Sequence, residues 1–525
     1  MVHMTTDKQL NANGHQLSVQ LAELKAAKVS ENIGQSINVA GVGGEVSAAY
    51  EQLRNAAEYA QEHLLIQKAI RRFYVRNLSF QNNSLDNKVV AEELIIELIQ
   101  SGYVENGTQP VEVIDKLSNI IQKHYGNYWL LKNFGSNARK SQDWTLDLLS
   151  VESEKLVAED KKQTIYIQFA YRHYQAILHK KSFVTDKSEE SNYEASLYVS
   201  VHRALFKSDI SGIRYDMQKL YKVSDANINE YAHFHENIDD IFSSSLTDKI
   251  THYINTYGAP LRILKSMIQD NDEISEILSN SGRFHTAYAD QIKQEYHKAK
   301  FKLNRGVLKS IVFLLITKTL IGAAIEIPYD LLTTGVIVML PLAINLLAPA
   351  VYIAVLRLGL KLPGTANTKA MQLYANNMLY IDQDRADLYP AVKKKSYPIG
   401  FTIAYVLVSL LVFGLVTKLL IGWHFNIVQG VIFFIFFATA SFLGFRLSRI
   451  VRELELVTEK TGILMAIRDF LYMPFILLGQ WLSEQYQKVN IVALVLDTVI
   501  ELPLKTVLRL FRQWAQFIDD KKNDI

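Results

Sequence analysis

Two hydrophobic rhythms divide the chain. Over roughly the first 305 residues, apolar side chains return every three or four positions between polar ones, the period of helices with one buried face. Beyond that point they run together into stretches of Leu, Ile, Val and Phe long enough to span a bilayer. From Ser47, a suitable N-cap, Leu53, Ala56, Ala60 and Leu64 share one face, and the spacing predicts a helix reaching about Asn77. Its end carries Lys68, Arg71, Arg72 and Arg76, which read as a solvated terminus complementing the helix dipole. Turn-forming clusters at 81–87, 105–110, 132–143, 185–192 and 224–229 punctuate the rest of this polar region. Between them, 88–101, 111–128, 145–159 and 165–183 have helical length and period. Strand-like alternation is missing. The expected fold class is therefore all-α: a flexible tail at 1–45, an N-terminal soluble helical domain at 46–305, and a polytopic α-helical membrane domain at 306–456.

Counted against the roughly 20 residues a spanning helix needs, the apolar stretches predict four spans, at about 308–327, 331–356, 399–422 and 427–445. The second is uncharged from Leu331 to Leu356, and its Pro341 and Pro349 predict kinks. The phrase VFLLITKTLIG at 312–322 returns 100 residues later as VFGLVTKLLIG at 412–422. Each copy opens a pair of apolar stretches, so the pattern reads as a duplicated transmembrane hairpin. Lys and Arg gather before the first span, along 357–398, and after the fourth at Arg446, Arg449 and Arg452, whereas the turns near 326–331 and 423–427 have none. By the positive-inside rule both hairpins point outward. The N-terminal domain, the 357–398 connection and the C-terminus are then cytosolic, with the protein in a plasma (inner) membrane. A tandem duplication demands the same direction for both copies, so the charge pattern and the repeat agree.

Residues 457–525 are expected to hold interfacial or re-entrant segments rather than further spans, because 470–482 and 489–504 are short and interrupted by Pro474, Asp497, Glu501 and Pro503. After Pro503, Leu504, Leu508, Phe511, Trp514 and Ile518 line one face against Lys505, Arg509 and Arg512. That pattern predicts a basic amphipathic helix at the inner interface.

Composition narrows the chemistry without changing this layout. A length of 525 residues allows two or three domains, and a net charge of +3 is too mild to imply nucleic acid. With no Cys there is no disulfide, thiolate zinc site, iron–sulfur cluster or cysteine nucleophile. The opening residues lack the basic flank and apolar core of a signal peptide. Gly41, Gly43 and Gly44 have neither a buried strand before them nor Gly-Lys-Ser/Thr after, and read as linker rather than phosphate loop. His233 and His235 diverge by about 200° on a helix, and His173 and His179 also diverge, so neither pair has metal-ligand spacing. Tyr166, Tyr171, Tyr174, Tyr193 and Tyr198 are read as packing. No catalytic motif stands out, and no cofactor or metal is implied.

The polar side chains inside the spans hold what chemistry remains. Lys318, Glu326, Asp330 and Asn345 form the candidate intramembrane site, because a buried ion needs a partner. Counted from Ser310, Lys318 lies about 12 Å into the first span, whereas Lys418 lies about 29 Å beyond Ile399, where it can snorkel to the far interface. Giving the two copies equal depth would sink Arg305 and Lys309 into the inner leaflet; a tilted or partly re-entrant first helix is one way out. Lys318 is then either a structural ion-pair partner or a solute or proton site. Lys298, Lys302, Arg305, Lys309, Arg446, Arg449, Arg509 and Arg512 are candidate contacts to anionic headgroups of the inner leaflet, each worth about 1 kcal/mol near such a surface. The large tyrosine-rich domain without catalytic motifs favours a membrane-anchored helical interaction or scaffold protein with an unknown protein partner. The alternative is an oligomeric channel or transporter for ions or small solutes, built on the duplicated hairpin and Lys318. An enzyme acting on lipid has no constellation behind it.

Overall fold

The computed structural model describes residues 9–28, 35–39, 44–58, 64–81, 85–158, 160–223, 227–333, 335–381, 399–457, 463–488, 503–507, 510 and 514. Helix is the only regular structure among them, and the fold is all-α. The chain forms two compact units, one of 16–254 with 490–525 and one of 1–15 with 255–489.

The first helix, α1 (Ala12–Lys28), falls inside the expected tail and corrects it. It has no sustained apolar stripe, yet Leu17 and Leu21 are buried. Ahead of it, Asn11 donates through Nδ2 to the carbonyls of Met378 at 3.0 Å and Ile381 at 2.8 Å. Gly14 sits so close to that segment that a Cβ there would lie 2.8 Å from the Leu379 carbonyl oxygen. These anchors lie 367 residues away in sequence, so no local period reports them.

In the first unit, the helix expected from Ser47 to Asn77 is seen as α2 (Gly44–Glu58) and α3 (Leu65–Asn77), with 59–63 between them outside the described residues. With α4 (Asn87–Gln100), α5 (Glu112–Asn133) and α6 (Ala138–Ala158) they surround a core that includes Ile70, Phe73, Leu94, Leu117, Ile121 and Leu149. α5 shows why such segments are helices: Val113, Leu117, Ile121, His124, Tyr128 and Leu131 are buried at steps of three and four. Each fully buried aliphatic or aromatic side chain contributes about 1.5–3 kcal/mol. The remaining helices are α7 (Lys161–Ile177), α8 (Lys187–Ser191), α9 (Tyr193–Val201), α10 (Ile210–Leu220), α11 (Ile228–Phe242) and α12 (Ser245–Tyr257). Tyr166, Tyr174, Tyr193 and Tyr198 are buried among other rings and side chains.

The basic end of α3 is not a solvated cap. Arg71 pairs with Asp143 at 3.2 Å, Arg72 with Glu51 at 2.8 Å and Arg76 with Glu97 at 2.6 Å. Lys505 likewise departs from the interfacial face expected of it: its ammonium lies 3.5 Å from Glu51 and 3.3 Å from Glu97, and donates to Ser47 and Ser101, each at 3.2 Å. In both cases a carboxylate supplied by a distant helix outcompetes water, and helical spacing does not see it. Of the expected amphipathic stripe, Leu508, Phe511 and Ile518 with Arg509 and Arg512 lie outside the described residues.

The second unit begins with α13 (Ala259–Asp270) and α14 (Ile274–Ser279). Asn280 then caps α15 (Ser281–Ile321), its side chain accepting from the Arg283 amide at 2.9 Å. α15 continues through a π-helical turn, Gly322–Glu326, into α16 (Ile327–Thr333), making one helical run of 53 residues. α17 (Met339–Gly359), α18 (Thr365–Tyr380), α19 (Ile399–Gly422), α20 (Ile427–Arg452) and α21 (Ile463–Lys488) complete the unit. The run Ser281–Thr333 together with α17, α19 and α20 gives four helices long and apolar enough to cross a membrane, as a membrane protein requires. The first reversal falls at about 335–338 instead of 326–331. Glu326 and Asp330 are therefore helical, and the second apolar helix starts at Met339 rather than 331.

α15, α17 and α20 pack around Leu303, Val307, Leu314, Tyr352, Ile353, Ala440 and Val451. Small residues bring them together: a Cβ on Gly306 would lie 2.7 Å from Leu447, and one on Gly444 2.7 Å from Leu356. In a bilayer, where lipid is as apolar as Leu, such close approach is what holds helices together. The second copy of the repeated phrase meets a different environment. Lys418 is exposed, and Phe475 of α21 sits between Phe413 of α19 at 5.2 Å and Phe437 of α20 at 4.9 Å. α21 is thus a single helix against the middle of α19 and α20, not a reversing segment; 489–502 lie outside the described residues.

The 357–398 connection is folded where it is described. α18 buries Met371, Ala375, Met378 and Leu379, and Tyr380 donates to the Leu278 carbonyl at 2.7 Å. Asn367 ties it to the chain beyond α20, donating to the Leu454 carbonyl at 2.8 Å and accepting from the amides of Leu456 and Val457 at 2.7 and 3.0 Å.

Candidate functional site

The four polar residues that the sequence places in or beside the first two apolar spans converge. Lys318 and Glu326 form a salt bridge, with Lys318 3% and Glu326 0% exposed. Asn345 of α17 donates through Nδ2 to Glu326 at 3.2 Å and to the Gln429 carbonyl of α20 at 3.1 Å. Gln429 donates through Nε2 to both oxygens of Asp330, at 3.1 and 2.9 Å, and Asn426 adds a donor at 2.8 Å. The Val338 amide reaches the same carboxylate at 3.4 Å. Lys318 also lies 5.0 Å from the Phe436 ring centre, a cation–π contact. The one polar atom of the cluster left over is Asn345 Oδ1, buried and accepting no hydrogen bond among the described residues.

A local irregularity assembles the carboxylate–ammonium pair. On an unbroken α-helix, positions 318 and 326 would point about 80° apart. The π turn, in which the Ile327 amide bonds the Gly322 carbonyl five residues back, takes up about one extra residue and brings them to within about 20°. Asp330 follows Glu326 by four positions and stays on the same side. Pro328 supplies the reason for the irregularity: it has no amide to offer the Ala324 carbonyl, and its ring would collide with that oxygen in a regular helix.

Gln429 and Asn426 were not among the residues singled out from the sequence. The signal was visible in part, since Gln429 is the large polar residue of its span. Its second role is a capping box: Asn426 accepts from the Gln429 amide at 2.8 Å, and the Gln429 side chain accepts from the Asn426 amide at 3.2 Å.

The cluster runs lengthwise. Counted from Lys309, Lys318 lies about 13 Å along the helix, Glu326 about 25 Å and Asp330 about 31 Å. Asp330 and Asn426 therefore stand at one end of the bundle, close to Trp423 and Tyr329, residue types that favour a membrane surface. Lys318 stands near mid-bundle. Beyond it, towards Lys309, come the apolar contacts of Leu314, Tyr352, Ile353 and Ala440.

The candidate headgroup contacts separate. Lys298 is paired with Asp270 and Glu295, each at 3.0 Å. Lys302, Arg305, Lys309, Arg446 and Arg449 are exposed, and the contact of Gly306 with Leu447 sets those of α15 level with those of α20. Arg509 and Arg512 lie outside the described residues.

No group of three His, Asp or Glu side chains suited to a metal ion occurs among the described residues. His233 is exposed and His235 buried, so they diverge as the spacing requires. Burial alone pushes the His173 imidazole down to about 3, and burial, partly offset by Asp216, pushes His202 down to about 4. Unfolding exposes both to their ordinary value near 6.5, so the unfolded chain binds more protons between about pH 4 and 6.5. Stability therefore falls as pH drops through that window, by about 1.4 kcal/mol per pH unit for each imidazole. Glu154, raised to about 7 mainly by burial and then by Asp209, acts in the opposite sense. His202→Phe is expected to flatten the wild-type loss of melting temperature between pH 6.5 and 4.5. An unchanged slope would show that His202 is not held neutral.

Comparison with protein-family models, curated proteins and solved structures finds no match for this chain.

Proposed function

We propose that the protein is a multi-pass membrane transport protein that moves protons, with Glu326 and Lys318 as the exchanging pair. The observation that carries this reading is the polar path from the Asp330–Asn426 end of the bundle through the buried Glu326 to its ion-pair partner Lys318 near the middle. A structural ion pair needs neither the length of that path nor a spare acceptor at Asn345 Oδ1. The ammonium at the inner end selects the ion: a metal cation reaching Glu326 would have to displace Lys318, whereas a proton can pass between the two side chains. The apolar contacts beyond Lys318 act as the seal that alternates with access from the other side. Against the interaction-protein reading, this one accounts for why four costly polar side chains stand inside the apolar spans.

Reconstituted protein under a potassium-diffusion potential should acidify or alkalinise vesicles loaded with a pH dye, and Glu326→Gln should reduce the rate by about tenfold or more. A rate equal to that of empty vesicles, for H⁺ and then for Na⁺ and K⁺, would sink the transport reading and return the chain to the interaction class.

The orientation follows the charge pattern: the end bearing Lys302, Arg305, Lys309, Arg446 and Arg449 faces the cytosol and anionic headgroups, with both extramembrane regions on that side. Leu373, exposed on α18, is the position to test it, because Tyr380 nearby is buried. In this Cys-free chain, Leu373→Cys should resist an impermeant maleimide in intact cells and react after lysis. Labelling of intact cells would invert the orientation.

A further inference from the structure

Where α19 and α20 part around Phe475, a cleft of about 510 Å³ remains between α19, α20 and α21. That volume lies within the range of about 300–1,000 Å³ typical of small-molecule sites. Along α19 its wall is Tyr405, Ser409, Phe413 and Thr417, a stripe at steps of four; Phe434 and Leu478 face it. The stripe is about 18 Å long, slightly more than half of a hydrocarbon core of about 30 Å. Tyr405 lies about 9 Å and Thr417 about 27 Å from the helix start at Ile399, so the cleft begins within one leaflet, passes the centre and ends near the opposite interface.

The polar groups of the wall are not equivalent. Ser409 donates to the Tyr405 carbonyl and Thr417 to the Phe413 carbonyl, each at 2.8 Å, so their protons are already used. Tyr405 Oη is different: it is buried and has no hydrogen-bond partner among the described residues. The Phe470 ring, edge-on to Tyr405 at 5.9 Å, closes that end. A buried hydroxyl without a partner is costly, and at this depth the molecules available to meet it come from the bilayer.

We propose that this cleft binds one acyl chain of a membrane lipid, its ester carbonyl accepting from Tyr405 Oη and its tail lying along Ser409, Phe413 and Thr417 towards Leu478. This differs from the lipid that coats the outer face of α19, where Leu407, Leu411 and Leu415 are exposed. The cleft has three helical walls and a donor at one end, so it fixes both the position and the direction of the chain. It does not depend on the ion path, which lies among α15, α16, α17 and α20.

The test uses full-length protein in phosphatidylcholine vesicles carrying a trace of photoactivatable phosphatidylcholine, with the diazirine either next to the ester or at the chain end. The ester-proximal probe should label around Tyr405 and Phe470, and the terminal probe around Thr417 and Leu478. Ser409→Phe, which fills the cleft, should abolish labelling there and leave the Leu407–Leu411–Leu415 face unchanged. Tyr405→Phe should lower cleft labelling about 2- to 10-fold. Should Ser409→Phe fail to fold, Leu478→Trp fills the cleft from the opposite wall. Cleft labelling that is insensitive to filling, or the same residues labelled by both probes, would overturn the proposal and leave bulk lipid contact only.

Discussion

Lys318→Met alone is expected to destabilise the membrane unit more than Lys318→Met combined with Glu326→Gln. The single change leaves the Glu326 carboxylate fully buried beside Asn345 without the ammonium that neutralises it. Stranding one member of a buried pair in this way costs about 3–5 kcal/mol. The double change removes the charge as well, and a glutamine side chain keeps an oxygen for the Asn345 Nδ2 donor. It should therefore recover a large part of the loss, a coupling of the order of 0.5–3 kcal/mol between the two sites. The midpoint of unfolding by heat or by sodium dodecyl sulfate reads this out for the native chain, both singles and the double. Additive losses would mean that the two side chains do not depend on one another in the folded protein. The same variants separate structure from transport. The double is expected to be folded and yet not to move protons, because neither remaining side chain can exchange one.

The members of this site and their grouping were legible in the sequence; the geometry that joins them was not. Lys318, Glu326, Asp330 and Asn345 stand out because hydrocarbon penalises them wherever they point. What brings them together is the π turn at Gly322–Glu326, a change of phase that a period of 3.6 does not anticipate. Pro328 was the available clue, since a proline inside a helix must be accommodated somewhere in the turn before it. The repeated phrase is a second case, and there the depth count along the helix already separated the two lysines. Eleven residues of shared pattern give Lys318 and Lys418 equivalent places on two helices but not the same neighbours: one meets Glu326, the other faces outward. Spacing alone makes the basic side chains of α3 and Lys505 look solvated or interfacial, because their partners, Asp143, Glu51 and Glu97, come from other helices. Helical spacing reports a residue's own face and never what lies opposite it.

Gly479→Ala is expected to force α21 away from α20. A Cβ at Gly479 would overlap the Ala438 carbonyl oxygen and come within 2.7 Å of Phe442 Cβ. The first obstacle is the backbone of the neighbouring helix, which cannot turn aside as a side-chain tip could. Overpacking typically costs about 1–3 kcal/mol where side chains can shift, and here the separation of the two helices is the cheaper response. Ala438 is fully buried, so Ala438→Cys in the otherwise Cys-free chain should react slowly with a membrane-permeant maleimide. Adding Gly479→Ala should raise that rate by about tenfold or more, the signature of a locally opened contact. Gly430→Ala, on α20 itself, is the control, because a Cβ there meets nothing within 4 Å. Equal rates in both backgrounds would mean that α21 does not rest on α20 at this point. Phe475 is carried by α21 between Phe413 and Phe437, so the displacement that exposes Ala438 should also open the apolar cleft beside it. In that variant the two ends of an acyl chain would lose their separate positions, even though every side chain that lines the cleft is still present.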